Sequence, residues 1–380
     1  MGSFWTTIFL VLACFILSAS PLKNYSSALT KSILFYNAQR SGKLPANNPI
    51  PWRGDSALND CVVGGWYDAG DYLKLGLPLS YTTTALLWSI NRFSDGYQRA
   101  GQLTQMYDMI KWPLDYFLKA WRPAQNELVV QIGDSTDHSY WGRAEEMTMT
   151  RPCFKINTVT KGSDIAAGTA AALAAGSVAF MLKGDLAYSN QLLNASKSLY
   201  TYAKANSFCE AFQLSARECC QVLDSMPENA ASYAGNSAFI ALVAADSGIN
   251  AASYRKWAVE QINYLLGDNP HSGGCYSYEV GYGSKYPLQP HHAGASCPNK
   301  PATCDWSQFS STAPNPQTLH GALVGGPDQY DNFHDVRSDY IQNEVADDYN
   351  SGFQGALAGI LHVQAINQFP ATSNKCPCAA

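Results

Sequence analysis

Apolar residues recur at helical spacing in eight stretches of the chain: 25–39, 79–93, 98–121, 163–182, 185–205, 234–247, 251–266 and 350–366. Long segments rich in Gly, Pro and Asn separate them, at 44–78, 122–162, 268–318 and 325–340. Strict alternation of apolar and polar positions is nearly confined to "LVVQI" at 128–132. The pattern predicts an all-α fold with its polar clusters carried on loops. Loops of this length in a compact domain are usually functional. Residues 165–182 carry no charge over eighteen positions and approach the length of a membrane span. They are mostly Ala and Gly, however, so a packed helix in an all-α fold is the expectation, with Ser163 and Asp164 supplying the cap at its start.

Composition narrows the class of partner. Of the 380 residues, 46% are hydrophobic and only 14% charged, and the net charge is −5. With no basic run, nucleic acid is not expected as a partner. Polarity comes from Ser, Thr, Asn and Gln, and 22 Tyr and nine Trp supply flat faces with a hydroxyl or indole donor. Such faces suit stacking against sugar rings, although most must serve the core.

The first residues, "FWTTIFLVLACFIL" followed by "SAS", read as a secretory leader over 1–20, leaving 21–380 as a single domain. No Lys or Arg precedes the run, and an uncleaved anchor is the alternative. Of the eleven cysteines, Cys14 would leave with the leader, and the even remainder fits an oxidised, extracellular protein. The acceptor triplets at Asn24 and Asn194 agree with export. Beyond that leader, no membrane association is expected.

Three loops hold the candidate chemistry. "GGWYDAGDYLKLGLP", 64–78, sets Asp68 and Asp71 three positions apart among aromatic residues. "PLQPHHAGASCP" holds His291 and His292, with Cys297 and Cys304 close enough in sequence to staple the loop. Adjacent histidines diverge and rarely share a metal, and neither a zinc motif nor a calcium loop is present, so no metal or cofactor is expected. In the last loop Asp328, Asp331, Asp335, Asp339, Glu344, Asp347 and Asp348 alternate with Tyr330, Phe333, Tyr340 and Tyr349, which suggests a lined cleft. Glu344 stands between Ile341 and Val345, where partly apolar surroundings would hold its carboxyl protonated. Hydrolysis of a glycosidic bond needs one carboxylate to activate water and one carboxylic acid to protonate the leaving oxygen. Asp68 or Asp71 with the distant Glu344 fits that division.

The stretches "LFYNAQRSGKLP", "WRGDSALND", "GGWYDAGDYLKLGLP", "DHSYWGRAEEMTMTRP", "GSDIAAGTAAALAA", "YLLGDNP", "PLQPHH", "ALVGGPDQYDN" and "DVRSDYIQNEVADDYNSGFQGALAG" occur in this order. Through them the chain resembles glycoside hydrolase family 9, the secreted endo-β-1,4-glucanases, and most nearly the animal branch. The resemblance covers 30–205 and 233–366. It implies an (α/α)6 barrel with an open cleft, β-1,4-glucan such as cellulose as substrate, and inversion at the anomeric carbon. It also implies Asp71 as general base, Asp68 holding the water and Glu344 as general acid. His138, Trp141, His291 and Tyr349 would line the sugar subsites, and Asp335 and Asp339 would brace the loop.

The chain departs from that pattern in its middle. Where the family carries several further barrel helices, it has only 203–232, so the barrel is expected to be incomplete. The family's arginines fall at Ser232 and Ala293, and the loop before Gly64 is shortened. An active endoglucanase and a weakly active or non-catalytic glucan-binding derivative are therefore both expected readings. Self-association through the exposed wall is expected of an incomplete barrel.

Overall fold

The computed structural model describes residues 23–206 and 230–372. The expected leader and most of the 203–232 stretch lie outside these described residues. Eight long helices form where the apolar periodicity places them: α1 (Tyr25–Ala38), α2 (Gly76–Arg99), α3 (Leu103–Ala120), α4 (Ser163–Lys183), α5 (Leu186–Ala205), α6 (Ala230–Asp246), α7 (Ala251–Leu265) and α8 (Asp347–Ala365).

Local chemistry starts several of them. Asn24 caps α1 by accepting from the Ser27 N–H, and Asp185 caps α5 by accepting from the Tyr188 N–H. The expected cap of α4 does not form. Gly162 is its N-cap residue with no side-chain bond, and Ser163 and Asp164 lie inside the first turn. There the Asp164 carboxylate can still favour the positive helix end. α2 differs most from its predicted span. It runs on past Phe93, whose backbone (φ −123°, ψ 39°) leaves the helical region and breaks the periodicity.

α8 is the hub. It packs against α1, α2 and α6; α2 continues to α3 and α4, α4 to α5, and α6 to α7. One apolar core extends from Tyr25 to Val363. The approach of α2 to α8 is very close at Gly96, where an added Cβ would stand 2.1 Å from the Ala358 carbonyl oxygen. α4 is long and apolar enough to cross a membrane, yet it packs against α2 and α5, as its sequence suggested.

The "LVVQI" stretch forms the centre of a small antiparallel sheet. β3 (Glu127–Ile132) pairs with β1 (Lys74–Leu75) and β2 (Trp121–Arg122) along one edge and β4 (Cys153–Ile156) along the other. The disulfide Cys61–Cys153 ties the loop before Gly64 to β4, and Cys297–Cys304 closes the short loop expected from sequence.

Three neighbouring helices leave large apolar side chains in solvent. They are Leu77, Tyr81 and Trp88 on α2, Val178, Met181 and Leu182 on α4, and Tyr233 and Ile240 on α6. Trp88 meets Phe239 of α6 edge-on at 5.4 Å, which joins the α2 and α6 stripes.

The α2–α8 approach yields a test. Gly96→Ala forces the helices apart or strains them, with an expected loss of about 1–3 kcal/mol. Thermal unfolding should show a melting temperature lowered by several degrees; a midpoint equal to the parent's would mean that the contact is slack.

Candidate active site

The Asp68–Asp71 loop is not helical; its shape is imposed from three directions. From the end of α1, Gln39 accepts the Tyr67 N–H at its carbonyl, and its Nε2 donates to the carbonyls of Tyr67 (3.2 Å) and Ala69 (2.6 Å). From the histidine loop, the Ala293 N–H donates to the Gly70 carbonyl at 2.8 Å. From the start of α8, the Asp347 N–H donates to the Asp68 carbonyl at 2.9 Å. Gly70 is required by proximity, because a Cβ there would lie 2.1 Å from the His291 carbonyl oxygen. Its N–H also faces the Glu344 carboxyl.

His291 and Glu344 come together as a short parallel bridge, with the His291 N–H on the Asn343 carbonyl at 2.8 Å. The His291 Nδ1 lies 2.7 Å from the Arg337 carbonyl, so Nδ1 carries the proton and Nε2 is left with its lone pair. Nε2 stands 3.9 Å from a Glu344 oxygen, too long for a hydrogen bond. Burial lowers the His291 pKa. The neighbouring His292 faces the other way, with Nε2 on Gln39 Oε1 and Nδ1 accepting from Ala295, and burial pushes its pKa down to about 3. One histidine faces the carboxyls; the other is a neutral internal brace.

The carboxyls are held in unequal states. Burial raises Glu344 well above the usual carboxylate range, and the charges of Asp71, Asp68 and Asp348 add to it. Burial also raises Asp71, but the Leu73 N–H, His138, His291 and Arg151 oppose the rise. One Asp71 oxygen accepts from Leu73 at 3.3 Å, and the other lies 3.3 Å from Nδ1 of the exposed His138. Asp68 is raised well above its usual value by burial, then by Asp348 and Asp71. Of the three, Asp71 has the most support for a negative charge, whereas Asp68 and Glu344 are both pushed well above the usual carboxylate range. A base and an acid can coexist here at one pH.

Residues that the sequence reading did not single out hold the loop from below. Arg151 donates to Asp60 (2.8 Å), Asp137 (3.2 Å) and the Tyr72 carbonyl (2.8 Å), while Asp137 accepts from the Tyr72 N–H at 2.9 Å. Lys74 pairs with Asp60 at 2.7 Å, and burial lowers its pKa to about 8. These charges are far apart in sequence, and only the fold makes them one network.

The aromatic wall also differs from expectation. Trp141, expected to line the sugar subsites, is buried: its Nε1 donates to Ser296 Oγ and its ring packs 4.9 Å from Phe309 and 5.2 Å from His291. The ring open to solvent beside it is Trp306, 5.9 Å away, and Tyr340 is exposed 6.5 Å from His291. The Asp305 capping box under "WSQF" was the available signal for Trp306. Tyr349 is half-buried beside Asp348 and Glu344. Asp335 accepts the N–H groups of Leu288 and Gln289, and Asp339 those of Ile341 and Gln342, so both engage the backbone. Ala293 is buried among Tyr67, Tyr72, Trp141 and Ala144, where a longer side chain would have to displace its neighbours. No metal-holding cluster occurs among the described residues.

Comparison with known proteins follows the same residues. The sequence profile of Glycosyl hydrolase family 9 matches 25–222 and 218–357. Endoglucanase B of Cellulomonas fimi is 37% identical; the match covers 90% of this chain but 42% of that protein. That alignment runs over 459 positions, more than the 380 residues here, so the bacterial protein carries segments that this chain lacks. The endoglucanase of the termite Nasutitermes takasagoensis superposes with a TM-score of 0.81 at 37% identity, over 90% of this chain and all of that one. A cellulase of C. cellulolyticum, solved with cellobiose, gives 0.79 at 28% identity, over 90% and 99%.

The loop geometry predicts that Gly70→Ala will be far more damaging than a surface substitution. The added methyl must push the Asp68–Asp71 loop off His291, so binding and turnover of soluble cellulose derivatives should both collapse. Turnover close to the parent's would show that the two loops need not touch.

Proposed function

Because the chain belongs to glycosyl hydrolase family 9, and shares the all-α barrel fold of its solved relatives, we propose that it is an inverting endo-β-1,4-glucanase acting on cellulose and related β-glucans. The observation that supports the mechanism is the unequal company of Asp71 and Glu344 across the Gly70–His291 contact: burial raises both carboxyls, Glu344 well above its usual range, while the Leu73 N–H, His138, His291 and Arg151 oppose the rise at Asp71. Asp71, as general base, takes a proton from a water that Asp68 helps to hold. The oxygen of that water attacks the anomeric carbon from the face opposite the leaving group. The glycosidic C–O bond breaks with its electron pair on the leaving oxygen, which receives the Glu344 proton. Solvent then returns a proton to Glu344 and removes one from Asp71. No cofactor enters.

His138 and His291 would donate or accept at sugar hydroxyls, Tyr349 would close the far side, and Trp141 would act from behind Trp306. Asp335 and Asp339 would keep the loop in place. Cellobiose in the C. cellulolyticum cellulase supports a β-1,4-glucan ligand. Secretion is supported by the disulfides Cys61–Cys153 and Cys297–Cys304 and by a bonded Cys275.

The exposed stripes of α2, α4 and α6 favour a second reading, in which the chain binds glucan with weak turnover and self-associates. Exposed apolar side chains that gather on neighbouring helices commonly mark an association surface. Light scattering should find dimers or larger species at micromolar concentration, reduced by Trp88→Gln with Ile240→Gln. A parent that is monomeric throughout would overturn the self-association.

Glu344→Gln should lower turnover of polymer by ~10²–10⁴-fold and leave binding largely intact. A 2,4-dinitrophenyl leaving group should rescue it in part, whereas Asp71→Asn should remain inactive on both substrates. Since Asp71 must be ionised and its pKa is raised, the acid limb of the parent's profile should lie above the usual aspartate range. NMR of the first product should show the α-anomer. Initial β-anomer would falsify the assigned roles.

A further inference from the structure

One acidic side chain at the site has no place in this mechanism. Asp347, at the first position of α8, is fully buried, and neither of its carboxyl oxygens has a hydrogen-bond partner among the described residues. One oxygen of Asp68 is buried in the same unpartnered condition. The two residues are joined by backbone, since the Asp347 N–H donates to the Asp68 carbonyl at 2.9 Å. The Asp347 carbonyl in turn accepts the Tyr36 hydroxyl of α1 at 2.8 Å.

The charges around Asp347 are of one sign. Asp68 from the loop and Asp348 from its own helix act on it, and behind them stand Asp71 and Glu344. From α1 it faces Tyr36, and Tyr81 and Tyr97 of α2 act on that same Tyr36. On the α6 side, Tyr233 acts on Tyr349. His138, His291 and the Arg151 guanidinium act on Asp71 rather than on Asp347. A second or third anion in such a cluster is strongly opposed, because unpaired buried charge is costly and like carboxylates do not ionise together.

We propose that Asp347 is a positioning residue that holds a proton beneath the water-holding Asp68, and that its ionisation sets the alkaline limit of the site. This rests on the hydrolase reading above. In its acid form Asp347 adds no charge, so Asp68 ionises against Asp348 and Asp71 alone. When it loses the proton, a further anion enters a space with no donor to receive it among the described residues. The first turn of α8 and the Asp68 loop, tied through the Asp347 N–H, then separate.

The direction of the stability effect follows by linkage. Burial first, then Asp68 and Asp348, raise the Asp347 pKa well above its unfolded value. The folded state therefore binds more protons than the unfolded state as pH rises past the ordinary aspartate range. Stability falls with pH through that window and levels off above the folded pKa. Asp347→Asn removes this term and keeps the shape.

Two measurements test the proposal. The first is the pH profile of a dinitrophenyl β-cellotrioside, whose leaving group does not need Glu344. Asp347→Asn should match the parent below neutrality and move the alkaline limb up by a pH unit or more. An unmoved limb, or a parent with no alkaline limb, overturns the proposal. The second is thermal unfolding from pH 5 to 9. The advantage of Asp347→Asn over the parent should grow with pH, and a constant difference overturns the proposal whether or not the chain turns over substrate. A parent inactive on the glycoside but showing the growing difference would sink the hydrolase reading and the alkaline limit while leaving the buried proton in place. Should the amide fail to fold, Asp347→Val must show the same two shifts.

Discussion

Gly70 touches the His291 carbonyl, and every other distance in the site follows from that contact. It brings the Asp68–Asp71 loop against the His291–Glu344 bridge with no side chain between them. The hydrogen bonds from Ala293 to Gly70 and from Asp347 to Asp68 then have only one register available. A larger residue at position 70 would separate the base from the acid before altering either one. Gln39 and the neutral His292 fill the space behind, so the loop is backed by hydrogen bonds rather than by loose packing.

The same contact concentrates negative charge. Asp68, Asp71, Glu344, Asp347 and Asp348 share one poorly solvated region, and burial is the leading cause of the raised pKa in each. The groups that oppose this, His138, His291 and Arg151 together with the Leu73 N–H, act on Asp71. That asymmetry favours a negative charge on Asp71 over one on its neighbours. It also lowers the stability of the folded chain as pH rises, since protons must be given up from buried groups. Arg151 carries two burdens in this scheme. It steadies Asp71 through the field and fixes the Tyr72 backbone through Asp137.

The exposed side chains of α2 and α6 reach the site. Tyr81 on α2 feels the Asp348 carboxyl, and Tyr233 on α6 acts on Tyr349. The apolar stripes left in solvent and the carboxyl cluster therefore share neighbours. Whatever covers α2, α4 and α6 will change the dielectric around Asp348 and Tyr349 as well as the stability of the barrel.

Periodicity alone located all eight long helices, because each buries a face against a neighbour and apolar spacing records that face. The motif order carried the family, and the chemistry of glycosidic cleavage made Asp68, Asp71 and Glu344 candidates. Helix ends were less legible: α2 passes through a non-helical Phe93 because α8 holds both of its halves, and α4 starts without the expected side-chain cap. Only the tertiary structure separated the two adjacent histidines, showed Trp141 buried with Trp306 exposed beside it, and revealed the Arg151–Asp60–Lys74 network. Direction, burial and electrostatic company depend on residues up to hundreds of positions away, and no local pattern records them. The sequence by itself determined which carboxyls are present and on which loops. Which of them is ionised, and which keeps its proton, was decided by how deeply the fold buries each and what it places alongside.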